Sequence, residues 1–124
     1  MKLEKIFMEE DLYEIIFFKK ENGRKPVLEY LTQLPEKERV KILDHIKSLS
    51  VYPEFRREPQ SRHLTGKLRE LKVDFGNNRY RIIYFFYIGK KIIIVHAFGK
   101  KTGTTPRQEI DTALRRMNDF LNAI

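Results

Sequence analysis

Cysteine is absent from this chain. That excludes disulfides, thiolate metal sites and cysteine nucleophiles. Only three histidines are present, so a metal centre is not expected. No apolar run approaches the length that spans a bilayer. Met1 to Asp11 alternates charged and apolar residues and has no signal-peptide core, which predicts a cytoplasmic protein. Internal repeats, linkers and low-complexity segments are missing too, so the 124 residues are expected to form one domain, with residues 1–11 as an N-terminal extension. Gly99-Lys100-Lys101-Thr102-Gly103 lacks the spacing of a phosphate-binding P-loop.

What the chain does have is positive charge in one place. Arg62–Lys101 holds ten Lys and Arg residues against two acids, Glu70 and Asp74, an excess that equals the formal charge of +8 for the whole chain. Outside that stretch the charges cancel. The excess runs through the most strand-like part of the sequence, interleaved with aromatics, which points to a polyanion as partner, nucleic acid foremost.

The hydrophobic periodicity predicts an α+β fold in the order β-α-α-β-β-β-α. Leu12–Lys19 is β-branched and aromatic and reads as a strand. Lys25-Pro26 opens a short helix with Val27, Leu28 and Leu31 on its apolar face, and Leu34-Pro35 ends it. Glu36–Ser50 follows as a second helix, with Val40, Leu43, Ile46 and Leu49 as its expected apolar face. The two form a helical hairpin. Val51–Gln60 reads as a loop. Leu68–Phe75, Arg79–Ile88 and Lys91–Phe98 read as consecutive strands of a mostly antiparallel sheet, joined at Gly76-Asn77-Asn78 and Gly89-Lys90. In the middle strand Tyr80, Ile82, Tyr84, Phe86 and Ile88 should face the core. Thr105-Pro106-Arg107-Gln108 fits a capping box for a C-terminal helix that packs on the sheet, with Arg107, Arg115 and Arg116 on a solvated face.

Alternation puts Glu70, Lys72 and Arg81 on the sheet face away from that core, with the Lys100-Lys101 loop at the end of the neighbouring strand. Such a cluster suits RNA cleavage by the adjacent 2′-hydroxyl. Arg81 can offer a two-pronged guanidinium to phosphate oxygens. A lysine whose pKa neighbouring cations depress can take the 2′-hydroxyl proton, and the base is open among Lys72, Glu70 and His63. Lys101 is the candidate that assists the leaving oxygen. Lys67, Arg69, Arg79 and Lys100 add charge along the same stretch and are candidate RNA-binding residues. His96, inside an apolar strand, reads as a hydrogen-bonded structural residue.

Three motifs carry a resemblance. Leu64-Thr65-Gly66-Lys67-Leu68-Arg69-Glu70-Leu71-Lys72 resembles an L-x-G-x-L-x-E-L-R stretch, Arg79-Tyr80-Arg81-Ile82-Ile83-Tyr84-Phe85 a Y-R-(I/V)-x-Y segment, and His96-Ala97-Phe98-Gly99-Lys100-Lys101-Thr102 followed by Pro106 an H-x-F-x-K-K-T…P signature. In this order and spacing the chain resembles the RelE/HigB toxin superfamily, in its phage-related HigB-like branch, from about Leu12 to Leu121. The resemblance implies the toxin of a type II toxin–antitoxin pair: a ribosome-dependent endoribonuclease that cuts mRNA in the ribosomal A site with neither metal nor cofactor, and that a small helix-turn-helix antitoxin holds in check. It puts Arg81 on the family's phosphate-binding arginine, Lys72 on the basic residue after E-L, and Lys100 and Lys101 on the K-K pair. Glu70 matches this branch, where RelE itself has a lysine. RelE's C-terminal catalytic tyrosine has no counterpart here, since Arg107 lies near its expected position. The alternative is a toxin-like module without catalysis that binds nucleic acid as a co-repressor.

Overall fold

The computed structural model describes residues 12–101 and 103–124, so the expected N-terminal extension and Thr102 lie outside the described residues. A five-stranded sheet forms the middle layer. Its strands are β1 (Glu14–Phe17), β2 (Ser61–Thr65), β3 (Leu68–Phe75), β4 (Asn78–Tyr87) and β5 (Lys91–Gly99). They lie in the order β1-β5-β4-β3-β2, with β1 parallel to β5 and the other neighbours antiparallel. Helices α1 (Pro26–Thr32) and α2 (Glu36–Val51) precede β2, and α3 (Arg107–Asn122) follows β5. The α+β class and the helical hairpin are as the sequence predicts.

The element order gains a strand. Ser61–Thr65 pairs along β3, although Ser-Arg-His-Leu-Thr is too polar to announce itself as a strand. It is an edge strand, and backbone pairing with β3 rather than side-chain burial holds most of it.

Both faces of the sheet are covered. Val27, Leu31, Ile42, Ile46 and Leu49 of the hairpin pack against Leu71, Val73, Ile82, Tyr84, Ile92 and Ile94. On the opposite face Ala113 and Met117 of α3 pack against Leu68, Ile83, Phe85, Ile93 and Val95. Each fully buried Ile, Leu or Phe contributes about 1.5–3 kcal/mol. The two faces explain why β4 and β5 read as apolar on both sides.

Details of the expected core shift. On α2 the buried face runs through Glu38, Ile42, Ile46 and Leu49, while Val40 and Leu43 are exposed. Val40 lies two residues from Ile42, about 200° around the helix, so the two cannot share a face. Phe86, near the end of β4, and Ile88, beyond it, are also exposed rather than core. Phe86 packs edge to face on Tyr84 and against Tyr13. Thr105 does not cap α3: Pro106 takes the N-cap position with no side-chain cap bond.

One contact tying α3 to the sheet titrates. Arg116 is not a solvated arginine; its Nη1 donates to the Val95 carbonyl at 3.0 Å and lies 3.1 Å from His96 Nδ1. His96 Nε2 contacts Glu109 Oε1 at 2.6 Å. With a guanidinium donor on Nδ1, the ring is neutral and carries its proton on Nε2. Burial first, and then the nearby Arg116 and Arg115, hold the His96 pKa below its usual 6.5, against the pull of Glu109. The unfolded chain therefore binds this proton more readily than the folded one. Stability from this site is complete above about pH 6.5 and drains away as pH falls toward the lower folded pKa. Urea midpoints measured between pH 7.5 and 5.5 should fall with pH in the wild type. The fall should be smaller in His96→Asn, and equal slopes in the two proteins would remove His96 as the cause.

Candidate functional site

β3 and β4 set the site. Their register pairs Lys72 with Arg81 and Glu70 with Ile83. Alternation then places Glu70, Lys72, Asp74 and Arg81 on the α3 side of the sheet. This face is not open at Glu70: Thr105, on the loop before α3, reaches the carboxylate, which is wholly buried. Arg81 is buried as well, at 6% relative exposure, and Lys72 is half-buried.

Glu70 is fully committed. Its Oε1 accepts from Arg62 Nε at 3.0 Å, and its Oε2 accepts from the Thr105 hydroxyl. A carboxylate with both oxygens occupied and no exposed surface is an anchor for cations, not a base within reach of a substrate hydroxyl. Arg81 Nη1 donates to the Tyr80 carbonyl at 2.7 Å and to Asp74 Oδ1 at 3.1 Å. Its Nε is buried with no hydrogen-bond partner.

The loop after β5 brings the last cation. Lys100 donates its backbone N–H to the Arg79 carbonyl at 2.6 Å, which draws its side chain in among Glu70, Arg62, Arg81 and Lys72. Burial is the first cause that lowers its pKa, and Arg62, Arg81 and Lys72 add to it, while Glu70 opposes them. Lys100 is thus a lysine whose pKa this cluster depresses. Lys101 follows it on the exposed side of the loop.

The remaining sequence candidates scatter. Arg69 lies on the opposite face, where its Nη2 donates to the Arg56 carbonyl at 2.7 Å and its Nε to Tyr84 Oη at 3.3 Å. His63 is exposed on β2, its Nε2 2.9 Å from the Gly66 carbonyl oxygen. Its neighbour Arg62 turns toward Glu70, so alternation aims His63 the other way. Lys67 is exposed in the β2–β3 turn, and Arg79 is exposed at the start of β4.

Beside the cluster opens a groove of about 650 Å³ whose lining includes Tyr30, Leu34, Asn78, Tyr80, Lys100 and Lys101. At its base Tyr80 donates its hydroxyl to the buried Glu38, which also accepts from Asn78 Nδ2 at 2.8 Å. Burial, then this carboxylate, pushes the Tyr80 pKa up to about 12. Tyr80 therefore stays protonated at neutral pH and does not stand in for a tyrosine that moves protons. A larger cavity of about 920 Å³, between β1 and the end of α3, is lined by none of the candidate site residues.

The sequence reasoning missed Arg62, Asp74 and Thr105 as members of the cluster. Arg62 needed the β2 strand to be recognised, and Thr105 was absorbed into a capping box it does not make. Asp74 was visible, since it shares the alternation of Glu70 and Lys72.

Fold and cluster together define a class: a small basic α+β protein with a largely buried arginine–lysine cluster on strands β3 and β4 of its sheet. Residues 29–118 match the model of the Gp49-like family of phage-derived proteins, and the chain belongs to that family, a RelE/HigB-like toxin family. No curated protein matches the chain significantly. None of the described helices is long and apolar enough to cross a membrane.

Proposed function

We propose that this protein is the toxin of a type II toxin–antitoxin pair and acts in the cytoplasm as a ribosome-dependent mRNA endoribonuclease. Family membership supports the toxin reading. The observation that carries the nuclease reading is a buried, partly uncommitted Arg81 beside a lysine of lowered pKa.

In this reading mRNA lies over the β3–β4 face, with the scissile phosphate on Arg81. Neutral Lys100 takes the proton of the 2′-hydroxyl, and O2′ bonds to the adjacent phosphorus. Charge builds on the phosphorane oxygens, where Arg81 and Lys72 stabilise it. The bond from phosphorus to O5′ breaks, and the Lys101 ammonium gives O5′ a proton. The products are a 2′,3′-cyclic phosphate and a 5′-hydroxyl end. One proton leaves O2′ and one arrives at O5′, so the step balances with side chains alone. Glu70 holds Arg62 in position and takes no proton. Inhibition falls to a helix-turn-helix antitoxin that covers this face or blocks entry to the ribosome.

Controlled expression in a bacterium tests the reading. The wild type should arrest growth and generate new mRNA 5′ ends in phase with codons, and Arg81→Ala should do neither. Normal growth despite abundant, folded wild-type protein would contradict it and favour the non-catalytic co-repressor.

A further inference from the structure

Glu70 and Arg81 stand at a telling distance. Glu70 Oε1 and Arg81 Nε are 3.9 Å apart, beyond hydrogen-bond reach, although both groups are buried and opposite in charge. A buried carboxylate beside a buried guanidinium ordinarily closes into a direct, often two-pronged pair. Here Arg81 Nε is left without a hydrogen-bond partner.

The carboxylate is held back by two other donors. Arg62 Nε holds Oε1, and the Thr105 hydroxyl holds Oε2. Arg62 Nη2 also reaches Thr105 Oγ1 at 3.5 Å. Thr105 is free to do this because Pro106, not Thr105, takes the N-cap position of α3. It sits on the loop that carries Lys100 and Lys101, so one hydroxyl joins that loop to the buried carboxylate of β3.

We propose that Thr105 is a positioning residue that withholds Glu70 from Arg81 and so keeps the Arg81 Nε–H uncommitted for an oxygen of the RNA phosphate. The proposal rests on the reading of this cluster as the phosphate site. Its physical basis is competition. Without the hydroxyl, Glu70 Oε2 is buried with no donor, which is costly. An uncommitted donor, Arg81 Nε, lies 3.9 Å from the other oxygen of the same carboxylate. The carboxylate then closes on Arg81, and an RNA phosphate must displace an internal anion before it can bind.

Thr105→Val removes the hydroxyl at nearly constant shape, and Thr105→Ser keeps it. Two readouts separate positioning from general damage: the Arg81 Nε–H resonance in ¹⁵N-labelled protein, and mRNA cleavage on purified ribosomes. In the wild type the Arg81 resonance should shift when a short oligoribonucleotide is added. In Thr105→Val it should move downfield already in the free protein and respond weakly to RNA. Cleavage by that variant should fall about tenfold to a hundredfold in kcat/KM, the worth of one charge-assisted hydrogen bond. Thr105→Ser should behave as wild type in both. Phe120→Leu, a packing change on the far part of α3, should lower thermal stability without moving either readout. A wild-type Arg81 resonance in free Thr105→Val overturns the proposal, and so does a serine variant that behaves like valine. If the resonances follow expectation but the wild type cleaves nothing, the positioning role stands and the nuclease reading fails.

Discussion

Lys100→Arg is expected to slow mRNA cleavage about a hundredfold to ten-thousandfold, the span that a positioned general base contributes, while mRNA binding stays close to wild type. Arginine keeps the positive charge and much of the length, but it does not deprotonate at any usable pH. The substitution therefore removes proton transfer and retains charge. Single-turnover cleavage on programmed ribosomes measures the loss. The pH profile adds a second signature. A lysine base works only when neutral, and below its pKa the neutral fraction drops about tenfold per pH unit. Burial and three neighbouring cations lower the Lys100 pKa, so the wild-type rate should rise with pH and level off before the usual lysine value of 10.5. The Lys100→Arg rate should lack that rise. A variant that keeps more than about a tenth of wild-type kcat would remove Lys100 from proton transfer.

Glu70→Ala is expected to cost about 3–5 kcal/mol of folding stability, as losing one partner of a buried charge pair does. The change strands Arg62 and Arg81 beside each other, with Lys100 close by and no internal anion between them. It also takes away the acceptor that ties Thr105 to the sheet. Asp74→Ala is the internal comparison. Asp74 also pairs with Arg81, at 3.1 Å, but its side chain is 62% exposed, and removing it should cost no more than about 1 kcal/mol. Urea denaturation at pH 7 measures both. Equal costs for the two would contradict the anchoring role of Glu70.

The fold was largely legible because its strongest signals are periodic. Tyr80, Ile82 and Tyr84 alternate with Arg81, Ile83 and Phe85, and the structure buries the two sets on opposite faces. What escaped is what local pattern does not encode. Ser61–Thr65 has no apolar alternation of its own and becomes a strand only by pairing with β3. Val40 and Leu43 mark α2 as helical but not which side of it meets the sheet.

The site was legible in part for a similar reason. Alternation brought Glu70, Lys72 and Arg81 together, because the β3–β4 register needed only a two-residue turn. It could not show that Thr105 and Arg62 close over Glu70 and turn it from a reactive group into a buried anchor. Arg69 looked like one more cation of the basic stretch, yet a single step along β3 sends it to the opposite face and the Arg56 carbonyl. Thr105 lies 35 residues from Glu70, and only the tertiary fold joins them.

The central claim is that Arg81 holds the phosphate at which this protein cleaves mRNA. Its most direct test is single-turnover cleavage of a defined mRNA in the A site of purified ribosomes, with the new ends identified chemically. Wild type should give 2′,3′-cyclic phosphate and 5′-hydroxyl ends, and folded Arg81→Ala should be about a hundredfold to a thousandfold slower, the usual cost of losing one donor to a developing oxyanion. Cleavage by Arg81→Ala at the wild-type rate, or no cleavage by the folded wild type on any codon, would contradict it.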